Sequence, residues 1–283
     1  SVRIILYSLV FLLSVFGNLL IIVVLIVNKR MRTVTNSFLL SLAVSDLMMA
    51  IFCIPFNLIP SLLEDFIFGA AMCKTVAYFM GISVSISTFS LVAIAIERYS
   101  AICNPLKSRA WQTRSHAYKV IAATWVLSVA IMVPYPVFSI LVPFNKTNNI
   151  TAHMCRLEWP ISQVEQTCVF ITTFYFMYTW TECLFGYICG EVKRLLLIEA
   201  KLIAKKRVIR MLIIIVAMFF VCWMPLYTAN TWKAFDQISA QRALSGAPIS
   251  FIQLLSYTSA CVNPIIYCFM NTRFRKALLA TFG

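Results

Sequence analysis

Two acidic side chains, Asp46 and Glu182, sit inside long apolar runs of this chain. A carboxylate in an apolar medium is costly, and it is kept where it binds a ligand, relays a proton or closes a polar network. Asp46 lies about three helical turns into its run, at roughly 1.5 Å per residue. Asn18, Ser87, Ser259 and Asn263 stand at comparable depth in other runs. A carboxylate among hydroxyl and amide oxygens suits a small cation or a proton, and it equally suits a structural hydrogen-bond network. Asp46, Ser87 and Asn263 are the candidate sodium ligands, and no other cofactor is implied. Glu182 reads as a ligand or proton contact, or as a polar residue facing a cavity. Catalytic chemistry is poorly served. His116 and His153 are the two histidines and fall near opposite ends of the apolar runs. No nucleophile–base pair or metal cluster is legible, so the chain does not read as an enzyme. The last apolar run, 244–271, has no lysine for a retinal Schiff base.

A second group of residues suits motion rather than catalysis. Cys222-Trp223-Met224-Pro225 and Asn263-Pro264-Ile265-Ile266-Tyr267 place a proline inside an apolar run beside a bulky aromatic. A mid-helix proline removes one backbone hydrogen bond and kinks the helix, which suits a swinging segment. Glu97-Arg98-Tyr99 ends another run. An arginine there snorkels to the interface, or acts as a charge exchanged between two states of a switch.

These residues need elements to hold them. The chain has 283 residues, 61% apolar and 12% charged, against about 45–50% and 25% for soluble domains. A soluble fold of that composition would expose too much apolar surface. Seven stretches are long enough to cross a bilayer, which takes about 20 apolar residues. The expected helices are 4–27, 37–63, 72–103, 118–140, 166–195, 201–232 and 245–271. The expected fold is an all-α membrane protein: one seven-helix transmembrane domain over 1–283, with a short amphipathic surface helix at 272–282. The net charge is +14, and it lies in blocks between the spans, which points to a membrane surface rather than nucleic acid. Eighteen of the 24 Lys and Arg fall on one side if the N-terminus is outside, and six on the other. That asymmetry predicts an extracellular N-terminus and a cytoplasmic C-terminus.

Asn145-Lys146-Thr147 and Asn149-Ile150-Thr151 are glycosylation sequons, and both fall in the second expected outside loop. Cys73, at the outer end of the third span, and Cys155, in that same loop, face an oxidising compartment. They can form a disulfide, or either thiol can be free. The other eight cysteines lie mostly within spans and suit packing as small apolar groups.

Gly17-Asn18, Leu42-Ala43-Val44-Ser45-Asp46, Glu97-Arg98-Tyr99, Trp125, Cys222-Trp223-Met224-Pro225 and Asn263-Pro264-Ile265-Ile266-Tyr267 occur in that order across the seven runs. Together they resemble a class A, rhodopsin-like G-protein-coupled receptor. A narrower match rests on Lys29–Asn36, Pro134-Tyr135-Pro136 with Phe144, Ala204–Met211 and Leu244–Phe251. These segments resemble the cholecystokinin/gastrin receptors, with type A slightly favoured by His153-Met154-Cys155-Arg156. The outer third span, Val76–Ser85, carries no acid, which favours a peptide over an amine ligand. The resemblance implies an acidic, C-terminally amidated peptide hormone, a Gq-type heterotrimeric G protein with calcium signalling, arrestin, and a multi-pass position in the plasma membrane. It implies that Arg156 faces a sulfate, Asn230 the peptide end and Lys233 a peptide aspartate, with Asn57, Met154 and Gln253 as further ligand contacts. The switch residues would be Glu97, Arg98, Tyr99, Trp223, Pro225, Asn263, Pro264 and Tyr267. Lys233 stands where the family has an arginine, so it is a point charge without the bidentate fork.

The fifth span departs from the pattern. Phe174–Tyr187 has no proline where the family has one, and the third inner loop is short. An alternative is therefore a receptor of the same fold with altered ligand binding or coupling. A membrane transporter is the other alternative, although no inverted repeat is visible.

Overall fold

The computed structural model describes residues 2–103, 106, 108, 112–145, 151–161, 164, 168, 171 and 203–282. The expected fifth helix at 166–195, with Glu182, lies outside the described residues, apart from the isolated positions 168 and 171. The elements are α1 (Val2–Val27), α2 (Val34–Phe52), α3 (Ile54–Leu63), α4 (Gly69–Cys103), α5 (Arg114–Ile131) and α6 (Pro134–Phe138). A hairpin of β1 (Ser139–Asn145) and β2 (Thr151–Leu157) follows, then α7 (Ile203–Phe235), α8 (Gln237–Leu244), α9 (Ala247–Met270) and α10 (Thr272–Phe282). Among the described residues six spans are long and apolar enough to cross a bilayer, the second formed by α2 with α3 and the fourth by α5 with α6.

Local chemistry sets the boundaries. Thr33 and Thr113 cap α2 and α5, their hydroxyl oxygens accepting from Asn36 N–H and His116 N–H, each at 3.2 Å. Asp236 caps α8 by accepting from Ser239 N–H at 3.0 Å. The single helix expected at 37–63 is broken at Cys53, because Pro55 has no N–H to continue the ladder. Asn57 seals the break: its Nδ2 donates to the Cys53 carbonyl at 2.8 Å. The helix expected to reach 140 ends at Phe138, and the chain turns into a strand at Ser139. The hairpin was not expected. It pairs antiparallel from Ser139↔Leu157 to Asn145↔Thr151. Seven residues per strand, without strict apolar alternation, give no strong period-2 signal.

The helices pack through buried apolar side chains and a few polar bridges. Asn18 Nδ2 donates to the carbonyls of Ser14 (2.8 Å) and Ala260 (2.9 Å), joining α1 to α9. Trp125 Nε1 donates to Ser41 Oγ at 2.9 Å, joining α5 to α2. Apolar residues on the outside of the bundle, such as Phe16 (67% exposed) and Val126 (70%), form the lipid-facing surface of a multi-pass membrane protein. At one end α10 folds back beneath α1, where Asn28 Nδ2 donates to Thr281 Oγ1 at 2.7 Å. Phe274 is buried there while Leu279 and Phe282 stay exposed, the division expected of a helix lying on a membrane face.

Two glycines sit at close helix crossings. A Cβ at Gly17 would lie 2.7 Å from Pro264 Cβ and 2.8 Å from Pro264 Cγ, atoms of a rigid ring. A Cβ at Gly81 would lie 2.7 Å from Met132 Sδ, the far end of a flexible chain. Gly17→Ala is therefore expected to destabilise by about 1–3 kcal/mol, and Gly81→Ala by much less. Thermal unfolding of the two variants in detergent checks this; equal midpoints would refute the rigid-contact argument.

Candidate functional site

The hairpin closes over one end of the bundle. Cys155 of β2 is disulfide-bonded to Cys73 of α4, with Cα atoms 5.6 Å apart. A second tether joins β2 to the α3–α4 link. Asp65 Oδ1 accepts from His153 N–H at 2.7 Å, and Phe66 N–H donates to the His153 carbonyl at 2.8 Å. Met154 and Arg156, two residues apart on the strand, project from the same face.

Beneath the hairpin lies a cavity of about 1200 Å³, large enough for several side chains of a peptide. Five of the six ligand contacts expected from the sequence line it: Asn57, Met154, Arg156, Asn230 and Gln253. Lys233 does not. It is exposed on the last turn of α7, one turn beyond Asn230. Trp223, 2% exposed, also lines the cavity, and its Nε1 donates to Ser259 Oγ at 3.0 Å.

The polar centre forms below this. Asn263 Nδ2 donates to Asp46 Oδ2 at 2.8 Å, tying α9 to α2. Ser87 of α4 stands beside the same carboxylate, and its Oγ is 3.2 Å from Ser45 Oγ. Asn18 Oδ1, also buried, has no hydrogen-bond partner among the described residues. Among the described residues no group of three or more His, Cys, Asp or Glu is placed to hold a metal. One carboxylate with hydroxyl and amide oxygens matches a monovalent hard cation.

The other residues expected to act as a switch are placed as follows. Pro225 lies inside α7 and Pro264 inside α9; Tyr267 is buried. Glu97 is 4% exposed, and Thr35 Oγ1 donates to its carboxylate at 3.0 Å. The side chains of Arg98 and Tyr99 lie outside the described residues, as does Asn149. Asn145 is exposed at the tip of β1. Sequence reasoning missed Arg3 as a cavity residue. It counted only toward topology, because a lone cation before an apolar run carries no further signal.

Six described membrane-long helices, a cavity under a disulfide-tethered hairpin, and prolines inside two of the helices beneath it form an architecture suited to a membrane receptor. A family model of 7 transmembrane receptors (rhodopsin family) matches residues 17–267. The chain belongs to that family: it is a class A G-protein-coupled receptor, a signalling class without enzymatic activity.

Within it, the chain belongs to the cholecystokinin receptors. It is 54% identical to the cholecystokinin receptor of Xenopus laevis over 347 positions, covering all of this chain and 77% of that one. It is 53% identical to cholecystokinin receptor type A of Homo sapiens, covering all of this chain and 80% of that one. Identity to the gastrin/cholecystokinin type B receptor of Canis lupus familiaris is 45%, over 99% of this chain and 79% of that one. The slight preference for type A follows the same order. An alignment of 347 positions against 283 residues also leaves at least 64 positions that this chain lacks.

Proposed function

We propose that this receptor binds cholecystokinin/gastrin-type peptides, acidic and C-terminally amidated, in the cavity under the hairpin. The supporting observation is that five of the six contact residues expected from the family resemblance line that one space. Arg156 presents a planar fork to a sulfate, Asn230 presents amide donors and an acceptor to the peptide end, and Lys233 attracts acidic residues at the rim. The hairpin end, with the N-terminus, faces the cell exterior, so Asn145 and Asn149 are open to glycosylation and the α10 end meets the cytoplasm. The protein resides in the plasma membrane.

Activation is a shift between two helix arrangements. A peptide favours the arrangement it binds more tightly, and only that difference in affinity does work. Trp223 lines the cavity and sits two residues before Pro225, so a ligand that displaces the indole acts directly on the kink of α7. Outward movement of that helix at the α10 end opens a basic surface to a Gq-type G protein, which releases calcium, and then to arrestin. The test is binding of labelled peptide to cells expressing the chain, with calcium release as a second readout. Absence of specific binding refutes the ligand; binding without calcium release refutes the Gq step.

We also place a sodium ion against Asp46, Ser87 and Asn263. Its charge would hold α2, α4 and α9 in the arrangement described above, against the peptide-bound one. Replacing choline by sodium should then lower peptide affinity about fivefold, at the weak end of ordinary couplings between sites. Asp46→Asn keeps an oxygen that accepts from Asn263 Nδ2 but loses the charge, so it should abolish the sodium effect while preserving peptide binding. An undiminished sodium effect in Asp46→Asn removes the ion from this site.

A further inference from the structure

α1 ends at Val27, and the chain passes through a short 3-10 turn, Lys29–Met31, before α2 begins at Val34. Lys29, Arg30 and Arg32 are exposed on this link. α10 is fastened to the same link, where Asn28 Nδ2 donates to Thr281 Oγ1 at 2.7 Å and to the Ala277 carbonyl at 3.3 Å. That helix carries Arg273, Arg275 and Lys276, all exposed. Two groups of three cations therefore stand at one end of the bundle, on elements joined through one asparagine.

No acid offsets them nearby in sequence: residues 1–45 and 237–283 contain no Asp or Glu. Glu97, which meets the first turn of α2, is 4% exposed and already accepts from Thr35 Oγ1 at 3.0 Å. No ion pair to a described acid engages any of the six cations. Arg32 Nη2 donates to the Ile26 carbonyl at 2.9 Å, which closes the end of α1 and leaves most of that guanidinium's donors unused.

Their depth points to lipid. The apolar run of α1 stops at Val27, so the link sits where a span leaves the hydrocarbon. α10 buries Phe274 and Ala277 against the bundle and leaves Leu279 and Phe282 exposed to acyl chains. Cations held at that level by an interfacial helix meet lipid phosphates. A headgroup with one phosphate engages one or two of them. Four arginine forks and two lysines, with no acid among them, suit a headgroup that carries several phosphates.

We propose that the α1–α2 link and α10 form one binding site for a polyphosphorylated inositol lipid, with the phosphates between the two groups of cations and the acyl chains beside Leu279 and Phe282. A lipid bound there clamps α10 to the end of α1. The orientation proposed above decides only which leaflet supplies it.

The test is native mass spectrometry of the purified full chain in detergent, titrated with phosphatidylinositol 4,5-bisphosphate or with phosphatidylserine. Thermal unfolding of each variant is measured alongside. Wild type should bind the bisphosphate at least about tenfold more tightly than phosphatidylserine, on the scale of about fivefold for each further cation engaged. Lys29→Gln with Arg30→Gln, and separately Arg273→Gln with Arg275→Gln and Lys276→Gln, should each remove about tenfold or more of that affinity. Arg242→Gln, an exposed cation of α8 at the other end, should change it less than about twofold. Asn28→Ala keeps all six cations but releases the tether, and should weaken the bisphosphate about threefold while leaving phosphatidylserine unchanged. If a neutral variant loses its unfolding transition, Arg30→Lys with Arg273→Lys and Arg275→Lys decides instead. It keeps the charge without the forks and should lose about threefold for the bisphosphate alone.

Equal affinity for the two lipids, or an equal loss in Arg242→Gln, would reduce the effect to diffuse charge and overturn the proposal. Loss from only one of the two groups of cations, or none in Asn28→Ala, would overturn the single joined site. Absence of lipid binding, with the same variants weakening G-protein capture, would give this surface to a protein partner and also overturn it. Binding in detergent does not depend on topology. A tag placed after α10 and found accessible on intact cells would refute the orientation, while the mass spectra still decide the site.

Discussion

Replacing Cys73 by alanine is expected to reduce specific peptide binding more than 100-fold, most of it through loss of folded receptor at the surface. The bond spans 82 residues of sequence, and closing a loop of that length restrains the unfolded chain by about 4–5 kcal/mol on the chain-entropy account. The local loss is as large. Cys155 precedes Arg156 and follows Met154, so the bond fixes the strand that carries both cavity residues. The other tether, through Asp65 and Phe66 to the backbone of His153, holds the strand three residues before Arg156 and leaves that residue's position to the hairpin pairing alone. The bond acts as one unit, so Cys73→Ala with Cys155→Ala should be no worse than either alone. Surface expression and labelled-peptide binding on the three variants decide it. Near wild-type affinity in either single variant, or additive losses in the double, would show that the hairpin holds itself.

Helices were far more legible than the loop that matters most. Apolar runs of about 20 residues declare themselves by composition, because lipid demands both the length and the absence of charge. Hence α1 and α10 run close to the ranges read from the sequence. The break at Cys53 carried a signal, Pro55, yet proline is common enough in membrane helices that its presence does not say whether a helix bends or splits. The β1–β2 hairpin is fixed by partners far away in sequence: Cys73 is 82 residues from Cys155, and Asp65 is 88 from His153. No periodicity within the strands could reveal it.

The site divides in the same way. Depth alone groups Asp46 with Asn18, Ser87, Ser259 and Asn263, since a carboxylate in the bilayer must find a donor at its own level, and of these Asn263 donates to it at 2.8 Å. Lys233 was assigned by its place in a pattern, but a helical residue's facing depends on rotation as well as depth. One turn past Asn230, it leaves the cavity wall. Arg3 shows the reverse case. Its sequence neighbours are apolar and say nothing of a site; only the meeting of α1 with Ser61 and Ser250 turns it inward.

Arg156→Ala is the second large effect, and it concerns selectivity rather than assembly. Against a sulfated peptide the substitution should cost about 10- to 100-fold in affinity, the span of one charged, bidentate hydrogen-bonded pair. Against the unsulfated peptide it should cost less than about threefold, since the lost partner has nothing there to hold. Arg156 is exposed on its strand, so water screens it before binding and the gain arises mainly when the peptide covers it. Arg156→Lys separates charge from geometry. If the planar fork matters, lysine restores only part of the discrimination; if attraction alone suffices, lysine restores all of it and weakens with salt. The deciding quantity is the ratio of sulfated to unsulfated affinity in each variant. Sulfate discrimination that survives in Arg156→Ala would move the sulfate away from the hairpin. It would leave the cavity's anion recognition to the helix walls, where Arg3 stands.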